Sequence, residues 1–157
     1  ILALSMPKFL AWHSHRHFAK KLPLSKIPTF VYTSYTGPRI AHDVTGRVWE
    51  GATVTTFAMQ LAFHMGFEKV ILIGVDHNFT SKGDANKTVV SQGDDPNHFM
   101  PNYFGKGVRW QLPDLDTSEV GYIMAREAFR EAGREIVDAT VGGKLTVFPK
   151  VDYNSLF

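Results

Sequence analysis

One stretch restricts the fold more than any other: Glu50-Gly-Ala-Thr-Val-Thr-Thr-Phe-Ala-Met-Gln-Leu-Ala-Phe-His-Met-Gly-Phe-Glu-Lys-Val-Ile-Leu-Ile-Gly-Val-Asp-His-Asn-Phe79. Val54, Phe57, Ala58, Leu61, Ala62 and Met65 recur at helical period, and such a stripe predicts an amphipathic helix. Thr53 suits its N-cap, and Gly66 suits the left-handed position past its last turn. Residues 69–75 then read as a continuous apolar run of strand length, the pattern of a strand buried on both faces. A helix feeding a buried strand is half of a βαβ unit. The expected class is therefore α/β, a Rossmann-like three-layer domain with a mostly parallel sheet.

The remaining segments are read around that unit. Residues 7–21 have helix-compatible composition with Pro7 in the first turn, and residues 29–33 are β-branched and aromatic, as strands are. Gly37-Pro38 breaks that strand, and residues 40–50 read as loop. No periodicity survives between residues 76 and 113, and a loop that long inside a domain is more often functional than idle. Its aromatic residues suit a loop that packs on the body. Asp116 with Glu119 resembles a capping box opening a helix to about residue 132, stopped by Gly133. A short strand at 135–139, a Gly142-Gly143 turn and an extended segment at 144–148 follow.

With 157 residues, 44% of them hydrophobic, the chain has apolar material for a single core, and one domain is expected over residues 1–157. The first strong strand comes only near Thr29, and no opening strand with a Gly-rich loop is visible. The chain is therefore expected to be the C-terminal part of a longer protein. Seventeen Lys and Arg against 15 Asp and Glu leave a net charge of +2 without a basic run, which argues against nucleic acid as partner. The absence of cysteine excludes disulfides and thiolate zinc sites, and fits a reducing, cytoplasmic setting. No apolar run reaches the roughly 20 residues of a transmembrane span.

Ligands of open α/β sheets bind beyond the carboxyl ends of the strands. Two places qualify. Gly51-Ala52-Thr53 opens a helix with small residues, where unpaired N–H groups can receive a phosphate, or serve only as a cap. Asp76, His77 and Asn78 follow the expected strand directly; each could hold a ligand, and Asp76 and Asn78 could equally form a turn. A second cluster, Asp94-Asp95-Pro96-Asn97-His98-Phe99, puts a histidine on a loop, where it could take a proton from a hydroxyl. Asp94 and Asp95 could bind magnesium or simply turn the chain before Pro96. Tyr103, Lys106, Arg109 and Trp110 mix stacking surface with cations, suited to a phosphorylated substrate or to core packing. His13 and His17 would share a helix face, but no third zinc ligand is near them in sequence.

Several blocks together carry a resemblance. Gly51-Ala-Thr-Val-Thr, Leu61-Ala-Phe-His-Met-Gly-Phe, Val70-Ile-Leu-Ile-Gly-Val-Asp-His-Asn-Phe, Asn97-His-Phe, Pro101-Asn-Tyr-Phe-Gly-Lys-Gly and Asp138-Ala-Thr-Val-Gly-Gly-Lys-Leu resemble the 6-hydroxymethylpterin diphosphokinase MptE-like family. That family also takes in the motility-associated flagellin glycosylation factors. The order of blocks is similar to that of the bacterial lipooligosaccharide sialyltransferases. The resemblance implies a transferase using a nucleotide or nucleotide-sugar donor and a glycan or small-molecule acceptor in surface-polysaccharide or glycoconjugate assembly. It would put Gly51, Ala52 and Thr53 at the nucleotide and His98 at the catalytic base, with Asp76, His77, Asn78, Asn97 and Tyr103 around the substrate. Those sialyltransferases carry tyrosines shortly after the strand, whereas Asn78 stands at the first such position here. The diphosphokinase branch implies instead an ATP- and Mg2+-dependent reaction with Asp76, Asp94 and Asp95 as ligands. A nucleotide-binding module without catalysis, and a homo-oligomeric assembly, are compatible with the same blocks.

Overall fold

The computed structural model describes residues 5–18, 28–79, 83–93 and 105–156. Strand β1 (Phe9–Ala11) passes through a 3-10 turn (Trp12–Ser14) into a single helical turn, α1 (His15–Phe18). The run of β-branched and aromatic residues that follows gives β2 (Thr29–Val31) and β3 (Thr33–Ser34), and β4 is Val48–Trp49. Helix α2 (Val54–His64) feeds β5 (Lys69–Leu72). Strands β6 (Thr88–Val90) and β7 (Arg109–Gln111) precede helix α3 (Leu115–Glu131), strand β8 (Glu135–Asp138) and a last 3-10 turn (Tyr153–Leu156).

Helices and strands thus mix along the chain, with short parallel pairs. β1 runs parallel to β2, β3 to β4, and β5 to β8, where Lys69 sits beside Glu135 and Leu72 beside Asp138. β6 and β7 are antiparallel. Among the described residues each pair is its own two-stranded sheet. Past β8, Lys150 bridges back to Asp138, and its ammonium meets the fully buried Asp138 carboxylate at 2.5 Å. No helix among the described residues is long and apolar enough to cross a membrane.

Helix α2 divides two apolar clusters. Met59, Ala62 and Phe63 face Leu72, Tyr122, Phe129, Ile136 and Leu145, while Phe57 and Leu61 face Val31, Val44 and Val48. Gln60 lies between them, buried, and its amide is fully used: Oε1 accepts from Ala41 N–H (2.9 Å), and Nε2 donates to Trp49 C=O (2.7 Å) and Thr56 C=O (3.2 Å). A buried side-chain amide is tolerable only when bonded in this way. Helices α2 and α3 touch where Gly121 meets Thr56: a Cβ on Gly121 would fall 2.7 Å from Thr56 Oγ1.

Several sequence expectations need correction. Val54, Ala58 and Met65 do not face the interior; all three are exposed, Val54 at 78%, and Thr56, Met59 and Gln60 are buried instead. The buried face is rotated from the apolar stripe because two polar residues lie inside, Gln60 with its amide fully bonded and Thr56 packed between Gly51 and Gly121. The run at 69–75 is not a strand buried on both faces. It is extended only to Leu72, and Lys69, Ile71 and Ile73 (58% exposed) line an open side. Residues 7–21 do not form one helix: Phe9–Ala11 pairs with β2 and only His15–Phe18 is helical, while residues 19–21 lie outside the described residues. The loop read at 40–50 ends in β4, and the long loop before α3 contains the β6–β7 pair. Asp116 is not the cap of α3. Asp114 is, accepting from Thr117 N–H at 3.0 Å, and Glu119 binds His77.

Other expectations hold locally. Thr53 caps α2, accepting from Thr55 N–H at 3.2 Å, and Gly66 (φ +83°) and Gly133 (φ +70°) take the left-handed position after their helices.

Candidate functional site

Three residues turn the chain from β4 into α2. Gly51 and Ala52 both have φ of +58°. Gly51 meets a steric demand as well, since a Cβ there would lie 2.5 Å from Thr56 Cγ2. Ala52 has no such freedom, and a non-glycine residue held left-handed costs roughly 1 kcal/mol or more. Thr53 N–H donates to Glu50 C=O at 3.3 Å, and its hydroxyl is committed to the cap. The N–H groups of Gly51 and Ala52 meet no acceptor among the described residues. They stand at the positive end of α2, where an anion is favoured.

The segment past β5 is pinned by the segment past β8. Val75 N–H donates to Thr140 Oγ1 (3.1 Å), and Asp76 C=O accepts from Lys144 N–H (2.7 Å). This fixes the backbone and leaves the Asp76 and Asn78 side chains exposed. His77, at φ +51°, turns inward: its side chain is 10% exposed, with Nε2 2.9 Å from Glu119 Oε1 and its ring against Tyr122. That pairing anchors the post-β5 turn to α3, and of the three polar residues here His77 is the one already held by protein.

The two turns meet across a cavity of about 510 Å3, whose walls include Ala52, Thr53, Asp76, His77, Asn78 and Ser118. A second cavity, about 680 Å3, opens on the other side of the α2 turn, between β1, Tyr35, Trp49, Glu50 and the start of α3. Ala52 and Thr53 line both. The sequence candidates Gly51, Ala52, Thr53, Asp76, His77 and Asn78 are therefore neighbours of one junction. Asp94, Asp95, Asn97, His98 and Tyr103 lie outside the described residues. Among the described residues, no group of three His, Asp or Glu side chains could hold a metal ion.

Beyond Gly51, Ala52 and Thr53, sequence reasoning missed the walls of the larger cavity. Trp49 is buried and held by Gly37, where a Cβ would come within 2.4 Å of the indole nitrogen. Beside it, the charge on Glu50 is the main reason that the Tyr35 phenol titrates above its ordinary range, with burial and a hydrogen bond to Glu50 adding to it. Asp114 is held below the usual carboxylate range, first by the Thr117 N–H bond, against a smaller opposing effect of burial. The signal for these residues was weak: Tyr35, Trp49 and Glu50 sit in stretches without periodicity, and Asp114 lies over sixty residues away. No family model matches the chain, and no match is found among curated proteins or solved structures.

Proposed function

We propose that the chain is a Rossmann-like α/β domain of a transferase that uses a nucleotide-activated donor, most simply a glycosyltransferase of the sialyltransferase-like kind. The observation that carries this reading is the α2 turn. Two N–H groups without an acceptor among the described residues stand at a helix start, between two cavities and opposite the exposed Asp76 and Asn78 side chains. Donor phosphate would sit against Gly51 and Ala52, and Asp76 and Asn78 would orient the donor sugar. As the bond from the anomeric carbon to the phosphate oxygen breaks, the electron pair goes to that oxygen, and the helix start stabilises the growing charge. The acceptor oxygen forms the new bond to the anomeric carbon from the opposite face and gives its proton to a base, inverting the centre. The resemblance in sequence, and nothing in the geometry, assigns the base to His98.

Thermal unfolding with CMP, UDP, GDP or ATP, each with and without Mg2+, tests the reading. At a hundredfold excess over Kd, a bound nucleotide adds about 2.7 kcal/mol of stability, a rise of roughly 5–10 °C for a chain of this size. A rise with a pyrimidine or guanine nucleotide without metal, lost in Ala52→Asp, supports the reading. A rise confined to ATP with Mg2+ replaces it with the diphosphokinase chemistry. Binding with no turnover of any nucleotide sugar reduces it to a nucleotide-binding module. His98→Ala with undiminished transfer removes the base.

A further inference from the structure

The larger cavity differs in character from the one beside Asp76. Its walls carry two carboxylates, Glu50 and Asp114, one imidazole, His13, and among the described residues no lysine or arginine. Gly51, Ala52 and Thr53 form its rim at the α2 turn; an anion passing beyond that rim would meet like charge in a partly desolvated space, so phosphate belongs at the turn amides and not among the carboxylates. One wall also presents aromatic surface: Tyr35 is 81% exposed, beside the buried Trp49 that Gly37 holds in place. Gln111 adds an amide that donates and accepts at once, and the Asn86 amide, which donates to Asp114 Oδ2 at 3.4 Å, keeps an acceptor oxygen.

Carboxylates that accept from hydroxyls, amides that do both, and an aromatic face for C–H groups are the chemistry that recognises a sugar. Ring hydroxyls donate to carboxylate oxygens in charge-assisted bonds, and the weakly positive C–H edge of a pyranose lies well on the negative face of an aromatic ring. A volume of about 680 Å3 falls inside the usual range for small-molecule sites. We infer that the cavity bounded by Tyr35, Trp49, Glu50 and Asp114 binds a neutral, polyhydroxylated sugar ring. Resting on the transferase reading above, it is the acceptor subsite. Ala52 and Thr53 form its floor and also the wall of the donor side, so a hydroxyl of the bound sugar sits across one turn from the donor phosphate.

Saturation-transfer NMR and calorimetry on the whole chain test this with the methyl glycosides of glucose, galactose, mannose and N-acetylglucosamine, and with lactose. Inorganic phosphate and butylamine serve as the anionic and cationic controls. The expected result is saturable binding of at least one neutral saccharide, weakened about fivefold or more by Tyr35→Ala and by Glu50→Gln, with nucleotide binding at the α2 turn unchanged in both variants. Absence of saturable binding across the panel overturns the inference. So does saccharide binding that neither variant alters, or a Glu50-dependent preference for butylamine. Nucleotide binding without saccharide binding removes only the acceptor site. Saccharide binding that depends on Tyr35 and Glu50, without any nucleotide binding, keeps the sugar site and removes the transferase.

Discussion

Gly121→Ala isolates the contact that sets α2 against α3, and with it the distance from the α2 turn to the cap of α3. The new Cβ would lie 2.7 Å from Thr56 Oγ1 and 2.9 Å from Thr56 Cγ2. Thr56 is fully buried, and its other side faces Gly51, where a Cβ would already be too close at 2.5 Å. It has little room to turn away, so the helices must part. Overpacking of this kind costs about 1–3 kcal/mol, while replacing a mid-helix glycine with alanine returns about 1 kcal/mol. The net loss is about 0–2 kcal/mol, a fall in Tm of up to roughly 8 °C. Thr56→Ala clears the space. It also removes a buried hydroxyl that has no partner, which offsets much of the lost methyl burial, so that variant alone should be close to neutral. In that background Gly121→Ala should stabilise by about 1 kcal/mol. Urea unfolding of the four proteins gives the coupling, expected at about 1–3 kcal/mol. If Gly121→Ala has the same effect with Thr56 as with Ala at that position, within about 0.5 kcal/mol, the steric account is wrong.

Gln60→Ala should cost about 3 kcal/mol or more, because Ala41 N–H and Trp49 C=O lose a buried partner while a cavity opens; a denaturant midpoint unchanged from wild type would contradict this. Asp138 is pulled up by burial, but hydrogen bonds from Lys150 and Thr140 outweigh that and hold its carboxyl below the ordinary value. Because the folded pKa is depressed, this stabilisation is present above the unfolded value of about 3.9 and is lost as pH falls through the folded one. Asp138→Asn should therefore lose on the order of 2 kcal/mol near neutrality, and the gap to wild type should close on acidification; a constant gap between pH 6 and pH 2.5 in unfolding experiments would refute the linkage. Asp114→Ala removes the cap of α3 and should cost about 1 kcal/mol, measured by the same unfolding experiments, where no loss would argue against the capping role.

The punctuation of the chain was legible because caps and stops depend on a few local atoms. Thr53, Gly66 and Gly133 act where their residue types suggest, and both long helices and the β5–β8 strands lie close to where their patterns put them. Facing was not legible. Gln60 and Thr56 are polar and buried, and a rule that sends polar residues outward rotates α2 away from its true orientation. The parallel pairing of Phe9–Ala11 with Thr29–Val31 joins segments too short to carry a period of two. At the site, the α2 turn and the post-β5 turn were visible because each directly borders a recognisable element. The cavity of Tyr35, Trp49 and Asp114 was not, since it gathers residues from stretches far apart in sequence whose meeting depends on the tertiary fold.

The three-way bonding of Gln60 has a mechanical corollary. One carboxamide fastens the axis of α2 to the carbonyl of Trp49 on one side and to the amide of Ala41 on the other. The helix that floors both hollows is thereby clamped to the wall of one of them. Sliding or rolling α2 to admit a bulky guest on the Asp76 side would strain that clamp and drag Trp49 along. Filling either chamber should consequently alter how readily the other accepts its own occupant, through a single side chain that touches neither guest.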